Sequence, residues 1–166
     1  MDTQNKERIQ EVQYEFPYHH LSYEVNGGIF IFKHLFWGLV HLTYIKYVIE
    51  RISHLEFETL SDIGCGEGRI ICELEKKNLS KKFLGVDIST RAISFAKAFS
   101  NDSEFLVHDI TQKPLEDSVD LIVSCEVIEH IEPTKVKSYI DNIHASLKEN
   151  GKSEERREGK ERRTRR

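Results

Sequence analysis

Apolar positions change rhythm along this chain. Residues 33–54 carry apolar side chains at helical spacing, interrupted by Lys33, His34, His41 and Lys46. This predicts one amphipathic helix, too broken by charge to span a bilayer. An interfacial helix that meets lipid-like substrates fits the same pattern less well. Beyond residue 57, short apolar runs alternate with helical stretches. "ETLSDI", "KKFLGVDI", "SEFLVHDI" and "DSVDLIVSCEV" read as strands. "GRIICELEKKN", "STRAISFAKAFS" and "PTKVKSYIDNIHASLKEN" read as helices. Ser89 or Thr90 would cap the second of these. Pro133 would lie in the first turn of the third and Gly151 just past its end. Strands alternating with helices imply an α/β fold, a doubly wound, Rossmann-like and mostly parallel sheet.

Composition narrows the class. The 166 residues are 39% hydrophobic and 31% charged, enough for one globular core. A formal net charge of -4 gives no general case for nucleic acid as a partner. Cys65, Cys72 and Cys125 form no CxxC pair, which fits a reducing compartment, and we expect the cytoplasm. The polar start "MDTQNKERIQ" shows no signal peptide.

The last fourteen residues, "SEERREGKERRTRR", contain no apolar side chain and carry a local charge of +3, leaving a body near -7. Such a run cannot bury enough surface to order itself. It resembles the translation of a sequencing adapter joined where a gene read ends. A natural protein would then continue past Gly151 or Lys152. Three regions follow: a lid segment and helix over 1–54, a ligand-binding α/β domain over 55–152, and a charged tail over 153–166.

"LSDIGCGEGR" places Gly64, Gly66 and Gly68 between the first strand and its helix. In an open parallel sheet ligands bind beyond the carboxyl ends of the strands, where strand order reverses. A dinucleotide loop would read G-x-G-x-x-G, but Arg69 holds the third glycine's place. Asp87 ends the second strand, where a carboxylate can accept from ribose hydroxyls. Asp109 ends the third, where it could accept from an adenine amino group while Ile110 meets the ring edge. Ile88 would lie on the adenine face. Asp62, Asp87 and Asp109 thus end three successive strands on one rim.

"LSDIGCGEGR", "GVDIS", "VHDI" and "DLIVSCEVIEHI" together resemble, in order and spacing, the motifs of class I S-adenosylmethionine-dependent methyltransferases. The resemblance covers about residues 55–152. It implies S-adenosylmethionine as cofactor and a seven-stranded sheet, here incomplete. The fifth strand should start at "NGK", where the sequence changes character. Its absence would leave the fourth strand as an apolar edge. By similarity Gly64 and Gly66 approach the methionine part of the cofactor, with Asp62 near its amino group. Asp87 holds the ribose, and Asp109 and Ile110 read the adenine. Ser124, Cys125 and Glu126 would pass beside the methionine. Cys65, Arg69, Ile88 and His108 complete the expected cofactor site.

Methyl transfer needs orientation and, for an oxygen or nitrogen acceptor, a base. On a helical turn Glu126, Glu129 and His130 would share one face. They could hold a divalent metal that lowers an acceptor hydroxyl's pKa. That arrangement resembles ubiquinone-pathway catechol O-methyltransferases and small-RNA 2′-O-methyltransferases. The same turn could simply close the cofactor site. Glu129, His130 and, in a lid built from Tyr14, Phe16, Tyr18, His19 and Tyr23, His19 are the catalytic candidates. The expected function is O-methylation of a small molecule. The alternatives are a non-catalytic fragment that at most binds cofactor, and an RNA 2′-O-methyltransferase using the metal set.

Overall fold

The protein is described here by a computed structural model that covers residues 33–77, 81–100 and 102–156. The expected lid, with Tyr14, Phe16, Tyr18, His19 and Tyr23, lies outside the described residues. So does the tail from residue 157 onward. The elements run α1 (Lys33–Ser53), β1 (Thr59–Ile63), α2 (Arg69–Glu75), β2 (Lys82–Asp87), α3 (Thr90–Phe99), β3 (Glu104–Val107) and β4 (Val119–Cys125). Two 3₁₀ turns follow, Ile128–His130 and Pro133–Lys135, then α4 (Val136–Ala145) and β5 (Leu147–Arg156). The five strands form one sheet in the order β3-β2-β1-β4-β5, every pair parallel. Among the described residues no helix is long and apolar enough to cross a membrane.

Two clusters of buried side chains show the double winding. Ile45, Val48, Ile49 and Ile52 recur on one stripe of α1 and meet Ile71 and Leu74 of α2 and Ile93 and Ala96 of α3. They pack on Leu60, Phe83, Phe105 and Leu121, one face of the sheet. On the other face Tyr139 and Ile143 of α4 cover Ile63, Val86, Val119 and Ile122. Strands buried on both faces read as apolar runs without clean alternation, which is why the sequence marks them so well. Ser89 is the cap of α3, its side chain accepting from the Ala92 N–H at 3.1 Å.

Two expectations are corrected. The last helix does not continue to Asn150; it ends at Ala145, and Leu147 opens a strand. Ser146 turns the chain. Its hydroxyl donates to the Asn142 carbonyl and accepts from the Leu115 N–H, while its carbonyl accepts from the Val119 N–H. Leu147 lies four residues after Ile143, so helical spacing alone could not show the break.

The fourth strand is not an edge. β5 pairs with it from Val119↔Leu147 and again from Leu121↔Lys152 to Cys125↔Arg156. Ser153–Arg156 of the charged segment are therefore strand. A parallel ladder is made by backbone N–H and C=O groups, so charged residues can complete it. The irregularity between the two stretches is held by Asp120. Its Oδ2 accepts from the Glu58 and Thr59 N–H groups, the Thr59 hydroxyl and Lys148 Nζ, tying the starts of β1, β4 and β5 together.

Candidate cofactor site

β1, β2, β3 and β4 deliver their following loops to one rim of the sheet. Connections leave β1 towards β2 on one side, while β4 lies on its other side, so the order reverses there. The loop after β1 is strapped to β2: the Gly64 and Cys65 N–H groups both donate to the Val86 carbonyl, at 2.7 and 3.0 Å. Gly66 has φ 52° and Gly68, the N-cap of α2, has φ 73°. Both lie in the left-handed region that a Cβ disfavours.

Gly64 serves packing as much as any ligand. A Cβ there would overlap Val127 Cγ2, so glycine lets the turn after β4 close onto the loop. Cys65 belongs to the core: it is buried in the α1–α3 cluster, and burial pushes its thiol well above the usual range. Glu67, which the sequence reading did not single out, is only 1% exposed between the two glycines. A charged residue inside a glycine loop was the available signal.

The expected carboxylates do meet the rim. Asp87 is buried, and it accepts from the Gly66 N–H at 2.9 Å and the Ser89 N–H at 2.8 Å. A carboxylate offers about four acceptor sites. These two bonds do not by themselves saturate it. Asp62 is buried on the same side of the sheet, and burial, then the Asp87 charge, raises its pKa to about 7. Asp109 forms an Asx turn in which Oδ1 accepts from both the N–H and the hydroxyl of Thr111, which leaves Oδ2 to other donors. Ile88 is 36% exposed beside the buried Asp87, an apolar surface at the rim.

Other expected residues are committed within the protein. Arg69 opens α2 and pairs with Glu73 at 3.0 Å. His108 links strands: its N–H donates to the Asp87 carbonyl, and its Nε2 lies 3.0 Å from the Lys113 carbonyl. Ile110 is buried, and its carbonyl accepts from Asn142 Nδ2. The Ser124 and Tyr139 hydroxyls hydrogen-bond at 2.6 Å. Cys125 packs partly buried against the core.

The metal set is corrected. Glu126 has φ 58° and lies outside the 3₁₀ turn that holds Glu129 and His130. A 3₁₀ turn does not reproduce the i, i+3, i+4 face of an α-helix. Among the described residues no three His, Cys, Asp or Glu gather as metal ligands. His130 is exposed. Glu129 keeps one feature of interest: Oε2 is buried without a hydrogen-bond partner among the described residues.

A glycine loop clamped by the acid ending β2, beside an apolar residue and a third acid on the same rim, defines a Rossmann-like nucleotide-binding fold of the class I methyltransferase type. The methyltransferase domain family matches residues 61–153, more than half of the chain, and the chain belongs to that family. It is 28% identical over 162 residues to the tRNA N(3)-methylcytidine methyltransferase Mettl2 of Drosophila melanogaster, covering 91% of this chain and 49% of that protein. It is 32% identical over 98 residues to the carboxy-S-adenosyl-L-methionine synthase of Nautilia profundicola, covering 57% of this chain and 42% of that protein. The crystal structure of magnesium protoporphyrin IX methyltransferase from Synechocystis PCC 6803 with bound SAM superposes with a TM-score of 0.66 at 18% identity. That match covers 89% of this chain and 73% of the other, and it speaks for the fold. The chain spans about half the length of the curated relatives it matches.

Proposed function

We propose that the rim binds S-adenosylmethionine and that the chain supplies the cofactor half of a methyltransferase. The observation that carries this is the Asp87 clamp: one buried carboxylate at the end of β2 holds the glycine loop, and we assign it the ribose hydroxyls. Ile88 then offers an apolar face for adenine, and Asp109 Oδ2 and the Ile110 backbone offer its edge polar partners. When bound, the cofactor supplies an activated methyl group. The protein's part is orientation and exclusion of water.

For the acceptor we favour a small-molecule hydroxyl. Glu129 would take its proton, because a buried, unpartnered carboxylate oxygen calls for a donor. A tRNA acceptor is favoured by one specific observation, the similarity to Mettl2 across 91% of the chain. The net charge of -4 weighs against it. Among the described residues no disulfide joins Cys65, Cys72 or Cys125, which supports a cytoplasmic setting.

Calorimetry with S-adenosylhomocysteine and NAD tests the cofactor. We expect S-adenosylhomocysteine to bind more tightly, and tighter NAD binding would overturn the assignment. Labelled methyl transfer to phenolic acceptors and to unmodified tRNA separates the two acceptor classes. Labelling of tRNA alone would reverse our preference.

A further inference from the structure

Tyr139, Asn142, Ile143 and the C-cap Ser146 recur at helical spacing along α4 and form one stripe. Tyr139 and Ile143 are buried in the cluster that also holds Ile110 and Leu115. The Ser146 hydroxyl accepts from the Leu115 N–H at 2.8 Å. Asn142 lies between these contacts, so the packing of its own helix fixes where it stands. Its Nδ2 donates to the Ile110 carbonyl at 2.7 Å, across 32 residues of sequence. A carbonyl only accepts, so the amide nitrogen of Asn142, not its oxygen, faces the loop after β3.

That carbonyl belongs to the peptide joining Ile110 to Thr111. A trans peptide is planar, with its C=O and N–H pointing opposite ways. Asn142 therefore grips one end of the plane. Asp109 grips the other: its Oδ1 accepts from the Thr111 N–H at 2.9 Å and the Thr111 hydroxyl at 2.7 Å. A chain of hydrogen bonds thus runs from α4 through one peptide to a carboxylate on the rim, and bonds in such a chain polarise one another. It uses Oδ1 and leaves Oδ2. The Ile110 N–H, next along the chain, meets no acceptor among the described residues. We infer that Asn142 is a positioning residue for base selection: it holds the Ile110–Thr111 peptide so that the loop offers one acceptor, Asp109 Oδ2, and one donor, the Ile110 N–H, to a 6-aminopurine. The inference rests on reading the rim as an S-adenosylmethionine site. A 6-aminopurine edge carries the matching donor and acceptor, and a 6-oxopurine edge carries the reverse. Without Asn142 the plane is free to turn. Asp109 then loses the Thr111 N–H, and the Ile110 carbonyl becomes an acceptor open to the ring N–H of a 6-oxopurine.

The test uses the full chain and calorimetry with S-adenosylhomocysteine and S-inosylhomocysteine, which differ only in carrying a 6-amino or a 6-oxo purine. We expect the wild type to prefer the adenosyl compound by about tenfold or more, since a site built for a donor rejects the analogue that lacks it. Asn142→Leu keeps a helix-forming side chain and removes the donor, and should cut that preference by about fivefold. Asn142→Asp removes the donor with less change of volume and should do the same, which keeps the test open if the leucine variant is unstable. Ser146→Ala is the control, because it loosens the same face of α4 without touching the Ile110–Thr111 peptide. It should lower the melting temperature and leave the preference unchanged. An undiminished preference in the Asn142 variants, or an equal loss in Ser146→Ala, would reduce Asn142 to a structural brace and overturn the inference. A wild type with no preference would overturn the adenine reading itself, and the inference with it, and that result is read on the wild type alone.

Discussion

The backbone N–H of Gly66 donates to Asp87 Oδ2 at 2.9 Å, so the acid that ends β2 holds the loop that leaves β1. Loop shape and, in the proposed cofactor site, ligand contact therefore depend on the same carboxylate. Asp87→Asn preserves volume but sets an amide NH₂ against one of two buried N–H donors. We expect affinity for S-adenosylhomocysteine to fall by about 1.5–3 kcal/mol, the range for hydrogen bonds to charged groups. Melting temperature should fall as well, because the loop anchor weakens without ligand. Calorimetry and thermal melts read the two effects. Unchanged affinity would place the ligand elsewhere.

Gly64 and Val127 form a second coupled pair. Gly64→Ala meets Val127 Cγ2 and places a Cβ at φ 75°. Overpacking of this kind typically costs about 1–3 kcal/mol, and left-handed backbone adds about 1–2 kcal/mol. Adding Val127→Ala should relieve the overlap and leave the backbone strain. A double-mutant cycle by urea unfolding should therefore show the pair less destabilised than the sum of its single variants. Strict additivity would mean that the two residues do not touch.

Stability should depend on pH through Asp62. Its folded pKa is raised from 3.8 to about 7. Between those values the folded state binds a proton that the unfolded state does not, so stability falls as pH rises from about 4 to 7 and then levels off. Asp62→Asn removes this slope. The variant should be more stable than wild type at pH 8, by no more than about 4 kcal/mol, the equivalent of a three-unit shift. Denaturant unfolding at pH 5 and pH 8 checks it. A wild-type protein that gains stability over that span on account of Asp62 would have the opposite coupling.

Much of this arrangement was legible because it is local. Strands buried on both faces leave apolar runs, and Asp62, Asp87 and Asp109 mark strand ends by position alone. What escaped the sequence depends on contacts far along the chain. The sequence does not show that Val127 packs against Gly64. Nor does it show that the Tyr139 hydroxyl meets that of Ser124. Glu126, Glu129 and His130 suggest a metal only if the chain is helical there, and the left-handed Glu126 breaks that assumption. The strand at Ser153–Arg156 was hidden for another reason. Its side chains give no strand signal, and the pairing rests on backbone groups offered by β4.

That fifth strand is anchored at its start, and the anchor gives the last prediction. Asp120 accepts from the Glu58 and Thr59 amides, the Thr59 hydroxyl and Lys148 Nζ, and the hydrogen bonds from Thr59 lead the interactions that hold its carboxyl far below the usual range. Asp120→Ala removes the acceptor from all four donors at once. Bonds to a charged group are worth about 1.5–3 kcal/mol each where they are shielded from water, and less at a partly exposed side chain. The junction should loosen before the sheet does. We expect amide exchange at Glu58 and Thr59 to quicken by about tenfold or more, with the β4-facing amides of Lys152–Arg156 following because their strand has lost its tether at Lys148. Amides in the middle of β1 and β2 should change much less, since their ladders do not involve Asp120. Fast exchange throughout 152–156 in the wild-type protein would mean that the strand does not persist in solution. Unaltered exchange at Thr59 in the variant would mean that Asp120 does not hold the junction.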